Sequence, residues 1–328
     1  MEALIFLPVF ISTILRMSTP IILGGVGATF SERSGVINIG LEGMMAIGAF
    51  SAAAVAFLTN SSWLGLLAGI LAGVLMGAFL GILAVYVGGN QIVIGIGINI
   101  LGVGAATLGT VMIWGNRGTS GWLQGLPEIN IPIIKSIPFL GEIISGFDPT
   151  VYLSWLAVLV VYIVLYHTAF GLRVRAAGEH PRMVETVGVD VFRLRFLGTV
   201  VSGALAGLAG VSLSLGMTNV FSHNMTGGRG FLAFAANMFG QWHPFGVFGA
   251  SLLFGLMDAA RMWLQNSGLP PQFLQMFPYL ATLIVITFAG KKARAPSALG
   301  EIFPYTFGKH VSKKPSIPKP EVTNEQTG

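Results

Sequence analysis

The sequence predicts an all-α fold: a polytopic transmembrane helical bundle of about 8–10 spans, with at least one broken or re-entrant helix. Three observations carry this. Apolar residues make up 53% of the chain and charged residues only 9%, with a mean hydropathy of +0.77. A soluble domain carries about 25% charged residues, so a cytosolic globular enzyme and a disordered chain are both excluded. The apolar runs are long and continuous, unlike the alternating strands of about 10 residues in a membrane β-barrel. Finally, twelve of the 18 Lys and Arg fall in two clusters beside apolar runs.

A crossing helix needs about 20 apolar residues. Such stretches fall at 4–28, 37–57, 63–87, 91–114, 151–169, 196–218, 229–242, 245–265 and 274–290. The seventh is short and Gly-bounded, and it supplies the broken or re-entrant element. Residues 1–290 therefore form one transmembrane domain. From 291 to 328 Lys, Pro, Ser, Thr and Glu replace Leu, Ile and Phe, and this tail has too little apolar content to fold alone.

Charge orients the bundle. Arg173, Arg175, Arg182, Arg193 and Arg195 form one cluster, and Lys291, Lys292, Arg294, Lys309, Lys313, Lys314 and Lys319 the other. The positive-inside rule makes loop 170–195 and the C-terminus cytoplasmic. This accounts for the net charge of +5 and the pI of about 9.6 without a nucleic-acid partner. Loop 115–150, with Arg117 and Lys135 against Glu128, Glu142 and Asp148, lies outside, and counting backwards puts the N-terminus outside too. The start MEALIFL has no basic region and no clear cleavage site, so it reads as a first helix.

Gly65, Gly69, Gly73, Gly77 and Gly81 recur every fourth residue in the third span, which makes a helix face without side chains. It serves close helix packing or, alternatively, a dimer interface. Gly203, Gly207 and Gly210 repeat the theme.

The chemistry that is missing narrows the function. There is no cysteine, no phosphate-loop motif, no HExxH and no GxSxG. The five histidines have no metal-ligand spacing, so no metal and no cofactor are expected in this chain. If ATP drives it, another chain hydrolyses the ATP.

Polar groups at bilayer depth cost roughly 2.5–3.5 kcal/mol each when ionisable. Asn38 and Glu42, four apart among glycines, share a helix face. They form a polar patch beside a translocation path, or an inter-helix hydrogen bond that fixes packing. Asn99, Asn237, Gln241 and His243 are further polar points, each open to the same two readings. Asp258 and Arg261 are spaced for an intrahelical ion pair. Arg16, near the middle of the first span, points to an inter-helix contact.

Within loop 170–195, Glu179–Val187 suits a short helix, with Pro181 in its first turn and Gly188 at its stop. It is either a docking knob for a soluble partner or a solvated loop that sets topology.

Three stretches, SERSGVINIGLEGMM (31–45), RAAGEHPRMVETVGV (175–189) with SGALAGLAG (202–210), and GGRGFLAFAANMFGQWHPFG (227–246), together resemble the permease subunits of bacterial ABC importers in the sugar, nucleoside and branched-chain amino acid superfamily. The first is most similar to the nucleoside (guanosine)-type branch. The resemblance implies a multi-pass protein of the bacterial cell membrane. Its implied partners are the lipid bilayer, a second, homologous permease subunit (usually a heterodimer), a cytoplasmic ABC ATPase that carries ATP-Mg, and an extracytoplasmic substrate-binding lipoprotein. It implies a coupling helix at Gly178–Gly188, with Gly178, Glu179, Pro181, Glu185 and Gly188 serving the ATPase. The substrate path would run near Asn38, Glu42, Asn99, Asn237 and Gln241. The expected function is therefore nucleoside transport without covalent chemistry in this chain. Simple sugars or branched-chain amino acids are the alternative cargo. A secondary transporter using Glu42 or Asp258, and last a membrane enzyme, are the other classes.

Overall fold

Inside a bilayer every backbone N–H must find a partner within the protein, so continuous apolar runs cross as helices. The computed structural model describes residues 2–116, 118–130, 140–265, 273, 276 and 294–303. Its order is α1 (Glu2–Arg33), α2 (Leu41–Thr59), α3 (Ser62–Gly81), α4 (Gln91–Trp114), α5 (Leu140–Ile144), α6 (Pro149–His167), α7 (Ala169–Glu179), α8 (Pro181–Thr186), α9 (Val191–Val211), α10 (Arg229–Phe239) and α11 (Pro244–Leu264). Helix α3 continues as a π-helical turn to Tyr86, and α9 as another to Thr218. Among the described residues seven helices, α1–α4, α6, α9 and α11, are long and apolar enough to span a membrane, and no strand forms. The expected ninth span, 274–290, lies outside the described residues except for Met276.

Side-chain oxygens start several of these helices. Ser61 caps α3, Asn90 caps α4, Asp148 caps α6 with Pro149 behind it, and Asp190 caps α9. Each satisfies an N–H that has no partner inside its helix.

The bundle has two distinct ends. One carries Arg173, Arg175, Arg182 and Arg193 on α7–α9, and is called here the basic end. The other carries residues 118–130 and 140–148, and is called the loop end. Helix α1 joins them: Gly178 packs on the Arg33 carbonyl, while Arg16 donates to the Gly146 carbonyl at 2.7 Å and lies 3.7 Å from Glu128. Arg16 therefore sits at the loop end of its span, not in the middle. The first span is shifted toward Arg33 from the expected 4–28.

The core is built on absent side chains. Gly73 and Gly77 face Gly203 and Gly207 of α9, Gly69 faces Val211, Ala52 and the Gly48 carbonyl, Gly65 faces α2 at Ala52 and Ala56, and Gly81 faces Thr199 and Phe196. A Cβ on Gly73 would stand 2.7 Å from the Gly207 Cα. Backbone-to-backbone packing of this kind replaces the hydrophobic effect, which gives no drive between helices in lipid. On the opposite face of α3, Leu67, Leu71, Leu75 and Phe79 are exposed, again four apart.

Residues 294–303, from the segment expected as a tail, form a strap on the basic end. Ala298 N–H donates to the Gly178 carbonyl (2.9 Å) and Gly300 N–H to the Gly35 carbonyl (3.2 Å). Arg195 donates to the Glu301 carbonyl at 2.9 Å, and Phe303 stands against Phe192. The other expected tail residues, 291–293 and 304–328, lie outside the described residues.

Candidate functional site

Helix α1 stops at Arg33, and α2 does not begin until Leu41. Between them residues 34–40 climb into the bundle without helix. Asn38 holds the climb: its amide N–H donates to Ser202 Oγ at 2.8 Å and its Oδ1 accepts from Gly40 N–H at 3.0 Å. Ser202 lies midway along α9, so Asn38 sits roughly 16 Å in from the basic end at about 1.5 Å per residue. That is near the middle of a hydrocarbon core about 30 Å thick. Asn99 ties the same break to α4, accepting from Gly43 N–H (2.8 Å) and donating to the Ile39 carbonyl (3.0 Å).

The seventh span crosses in two pieces. Residues 219–228 descend from the loop end as turns, pinned there by Ser120 N–H to the Phe221 carbonyl and His223 N–H to the Gly118 carbonyl, both 2.8 Å. Helix α10 then completes the crossing beside α1, with Ala233 at Gly24 and Asn237 at Thr29. Its 11 residues span only about 16 Å, so its N-terminus opens inside the membrane. Gly228, with φ of 84°, makes the turn that a side chain would strain.

Glu42 closes that terminus. Its two carboxylate oxygens accept from Gly228 N–H (2.8 Å) and Gly230 N–H (2.7 Å). A negative group on free helix N–H donors satisfies them and matches the helix dipole. The paired reading of Asn38 and Glu42 thus resolves into two contacts: one holds the break, the other caps the half-helix that meets it.

Asn237 is fully buried between Thr29 (2.8 Å) and Glu32 (2.9 Å), and Trp242 donates to the same Glu32 carboxyl. Gln241 lies apart from these groups, at the basic end in the turn between α10 and α11, where its carbonyl accepts from Arg33. Asp258 pairs across helices with Arg229 at 3.4 Å, closer than the expected Arg261 at 4.0 Å. Arg229 opens α10 beside the positive end of its dipole, and Asp258 offsets that charge.

Above Glu42, toward the loop end, a small recess opens between α4 and the descending segment. Phe221, His223, Asn224 and Thr226 come from that segment and Thr107 from α4. Sequence reasoning missed it. The available signal was the polar, Gly-containing run His223–Gly230 between two apolar spans.

At the basic end, α7 and α8 form an elbow. Thr168 caps α7, Pro181 opens α8, and Gly188, with φ of 80°, ends it. Gly178 is buried against α1, whereas Glu185 and Gly188 are exposed. Glu179 accepts from Ser297 N–H (3.0 Å) and Oγ–H (2.8 Å) of the strap. Burial works to raise this carboxyl, but the Ser297 bonds and the charges of Arg33 and His180 outweigh it and hold it below its ordinary 4.5. A depressed carboxyl contributes stability above its unfolded value and loses it as pH falls through the folded one. A spin label at Leu299→Cys is therefore expected to gain mobility as pH drops below 4.5, and Glu179→Gln to remove that step. An equal step in both proteins would sever the link.

Residues 10–287 match the family described as "Branched-chain amino acid transport system / permease component". The chain is similar to the guanosine ABC transporter permease protein NupQ of Bacillus subtilis (strain 168), 35% identical over 322 residues that cover 94% of this chain and 100% of NupQ. It is similar to the nucleoside ABC transporter permease protein NupC of Lactococcus lactis subsp. cremoris (strain MG1363), 35% identical over 309 residues, 90% of this chain and 96% of NupC. It is also similar to TsgC13 of Haloferax volcanii, a permease provisionally named for glucose, 34% identical over 318 residues, 87% of this chain and 94% of TsgC13. No solved structure matches it.

Proposed function

The chain belongs to the permease-component family of branched-chain amino acid transport systems, and on that premise we propose that it forms one half of the membrane path of an ATP-driven nucleoside importer. The observation that carries this reading is the mid-membrane break, where Glu42 holds the half-helix N-terminus below a recess with aromatic and neutral polar walls. A nucleoside is uncharged, with a flat base and a hydroxylated sugar, and such a wall suits it. The basic end faces the cytoplasm under the positive-inside rule. A second permease completes the path, and an extracytoplasmic lipoprotein delivers cargo.

The elbow supports a soluble ATPase partner that carries ATP-Mg. On α8 and just after it, Met183 and Val187 are 68% and 76% exposed, beside the charged Arg182 and Glu185. Such an apolar pair beyond the spans suits contact with a partner. The elbow touches α1 through Gly178, so a push there reaches Arg33 and the climb at 34–40. The path then alternates between outward- and inward-facing forms. The chain performs no covalent chemistry of its own.

Radiolabelled nucleoside uptake in cells lacking this chain is expected to fall to background and to return with the gene. Unchanged nucleoside uptake, with loss of glucose or branched-chain amino acid uptake, would overturn the cargo assignment.

A further inference from the structure

We propose that the outward face of α4, with the turn residues 223–228 beside it, is the seam on which the second permease subunit sits. This rests on the importer reading above and locates the partner within it.

The first observation is polar surface at a depth where lipid cannot serve it. Helix α4 runs from the basic end, where Gln91 accepts from Ile37 N–H at 2.8 Å, to Trp114 at the loop end. His223 stands 3.1 Å from Thr107 Oγ, which lies about 10 Å in from Trp114 by helix rise. Gly228 and Gly230 lie deeper, on Glu42. Between these points the chain runs in turns, and His223, Asn224 and Gly227 are exposed. Non-helical backbone at membrane depth persists only against protein or beside a water-filled cavity. Water in a path would serve this flank, but that water needs a protein wall on its far side to keep lipid out.

The second is attachment. Among the described residues α4 packs mainly on α2 and touches α3 lightly, while α11 packs on α1, α6 and α10. The most apolar stretch of α4 is 22% buried, against 33–67% in the other six spans. On its inner side Asn99 holds the mid-membrane break. The break, α4 and the open flank thus follow one another from core to surface, and a subunit seated on the outer side of α4 would close the path along that flank.

The third is relief. The outward face of α3 is bulky throughout, with Leu67, Leu71, Leu75 and Phe79, as lipid contact allows. The outward face of α4 sets Val93, Ile100 and Leu108 among Gly97 and Gly104. All five glycines of α3 are used in packing inside the chain, whereas a Cβ on Gly97 or Gly104 would meet nothing within 4 Å. Glycine weakens a helix relative to alanine, and these two serve no contact among the described residues. A partner helix could use them for close approach. The glycines alone would say only that something can come close; the polar flank beside them says that it is protein.

The test uses the intact transporter with its partner chains in cell membranes. A p-benzoylphenylalanine in place of Ile100 or Leu108 is expected to give, on irradiation, an adduct to a second permease subunit identified by its peptides, whereas the same photoprobe in place of Leu71 should label lipid. Gly104→Trp should cut co-purification of the second permease at least fivefold without lowering the melting temperature of the isolated chain, and Leu71→Trp should leave co-purification unchanged. Adducts from Ile100 and Leu108 confined to lipid or to residues 266–293 of the same chain, or full co-purification with Gly104→Trp, would overturn the seam and leave the importer reading intact. Nucleoside uptake by cells that hold this chain as a lone, monomeric permease would overturn both.

Discussion

Glu42→Ala is expected to abolish uptake while the protein still inserts in the membrane. The substitution removes the acceptor for two backbone donors, Gly228 N–H and Gly230 N–H. Hydrogen bonds to a charged group contribute about 1.5–3 kcal/mol each, and both are lost with the carboxylate. The α10 N-terminus then loses its carboxylate cap, while Arg229 adds a positive charge beside it that Asp258 offsets. A loss of about 3 kcal/mol or more follows from the two bonds alone. Because α10 starts at the break, the loss falls on the split crossing first. Glu42→Gln should be intermediate, since its amide offers one acceptor and turns a donor toward the second N–H. The measurements are uptake in whole cells and thermal unfolding in nanodiscs. Wild-type uptake and melting for Glu42→Ala would remove the cap from its central place.

Gly73→Leu is expected to prevent assembly of the bundle altogether. The added Cβ alone would meet the Gly203 carbonyl and stand 2.7 Å from the Gly207 Cα. These are backbone atoms of α9, so no rotamer change makes room. Overpacking usually costs about 1–3 kcal/mol, and a contact between two backbones lies at or above the top of that range. The reciprocal contacts of Gly203 with Gly77 and Gly207 with Gly73 mean the defect propagates along the seam. Gly104→Ala is the matched control, since a Cβ there meets nothing within 4 Å. Size-exclusion profiles in mild detergent should separate the two: an aggregated or degraded Gly73→Leu beside a monodisperse Gly104→Ala. A monodisperse Gly73→Leu with unchanged melting would contradict the close seam.

What could be read from the chain beforehand follows the range of the forces. Helix period and glycine spacing act within one element, so the stripe from Gly65 to Gly81 was visible, as were the start and stop of α8 at Pro181 and Gly188. The short seventh span was visible as short, because glycines bound it. Its manner of crossing was not, because Glu42 and Gly230 meet only in the folded bundle. The same limit explains Asp258: sequence neighbours suggested Arg261, while the fold brings Arg229 closer. Arg16 was misjudged in depth because helix α1 runs on through Arg33 and shifts the span. The recess needs α4 and the descending segment side by side, which no local pattern encodes. Gln241 looked like the other amides by residue type, but it lies in the turn at the basic end.

The strap ties two carbonyls far apart in sequence, Gly178 on the elbow and Gly35 at the foot of the climb toward Asn38. Those two points share one fastening and so cannot shift independently. On the proposed function, a stroke applied at the elbow would thereby be geared to the interior without backlash. On that same reading, loosening the fastening would let the motor idle, turning over fuel while the gate stays still.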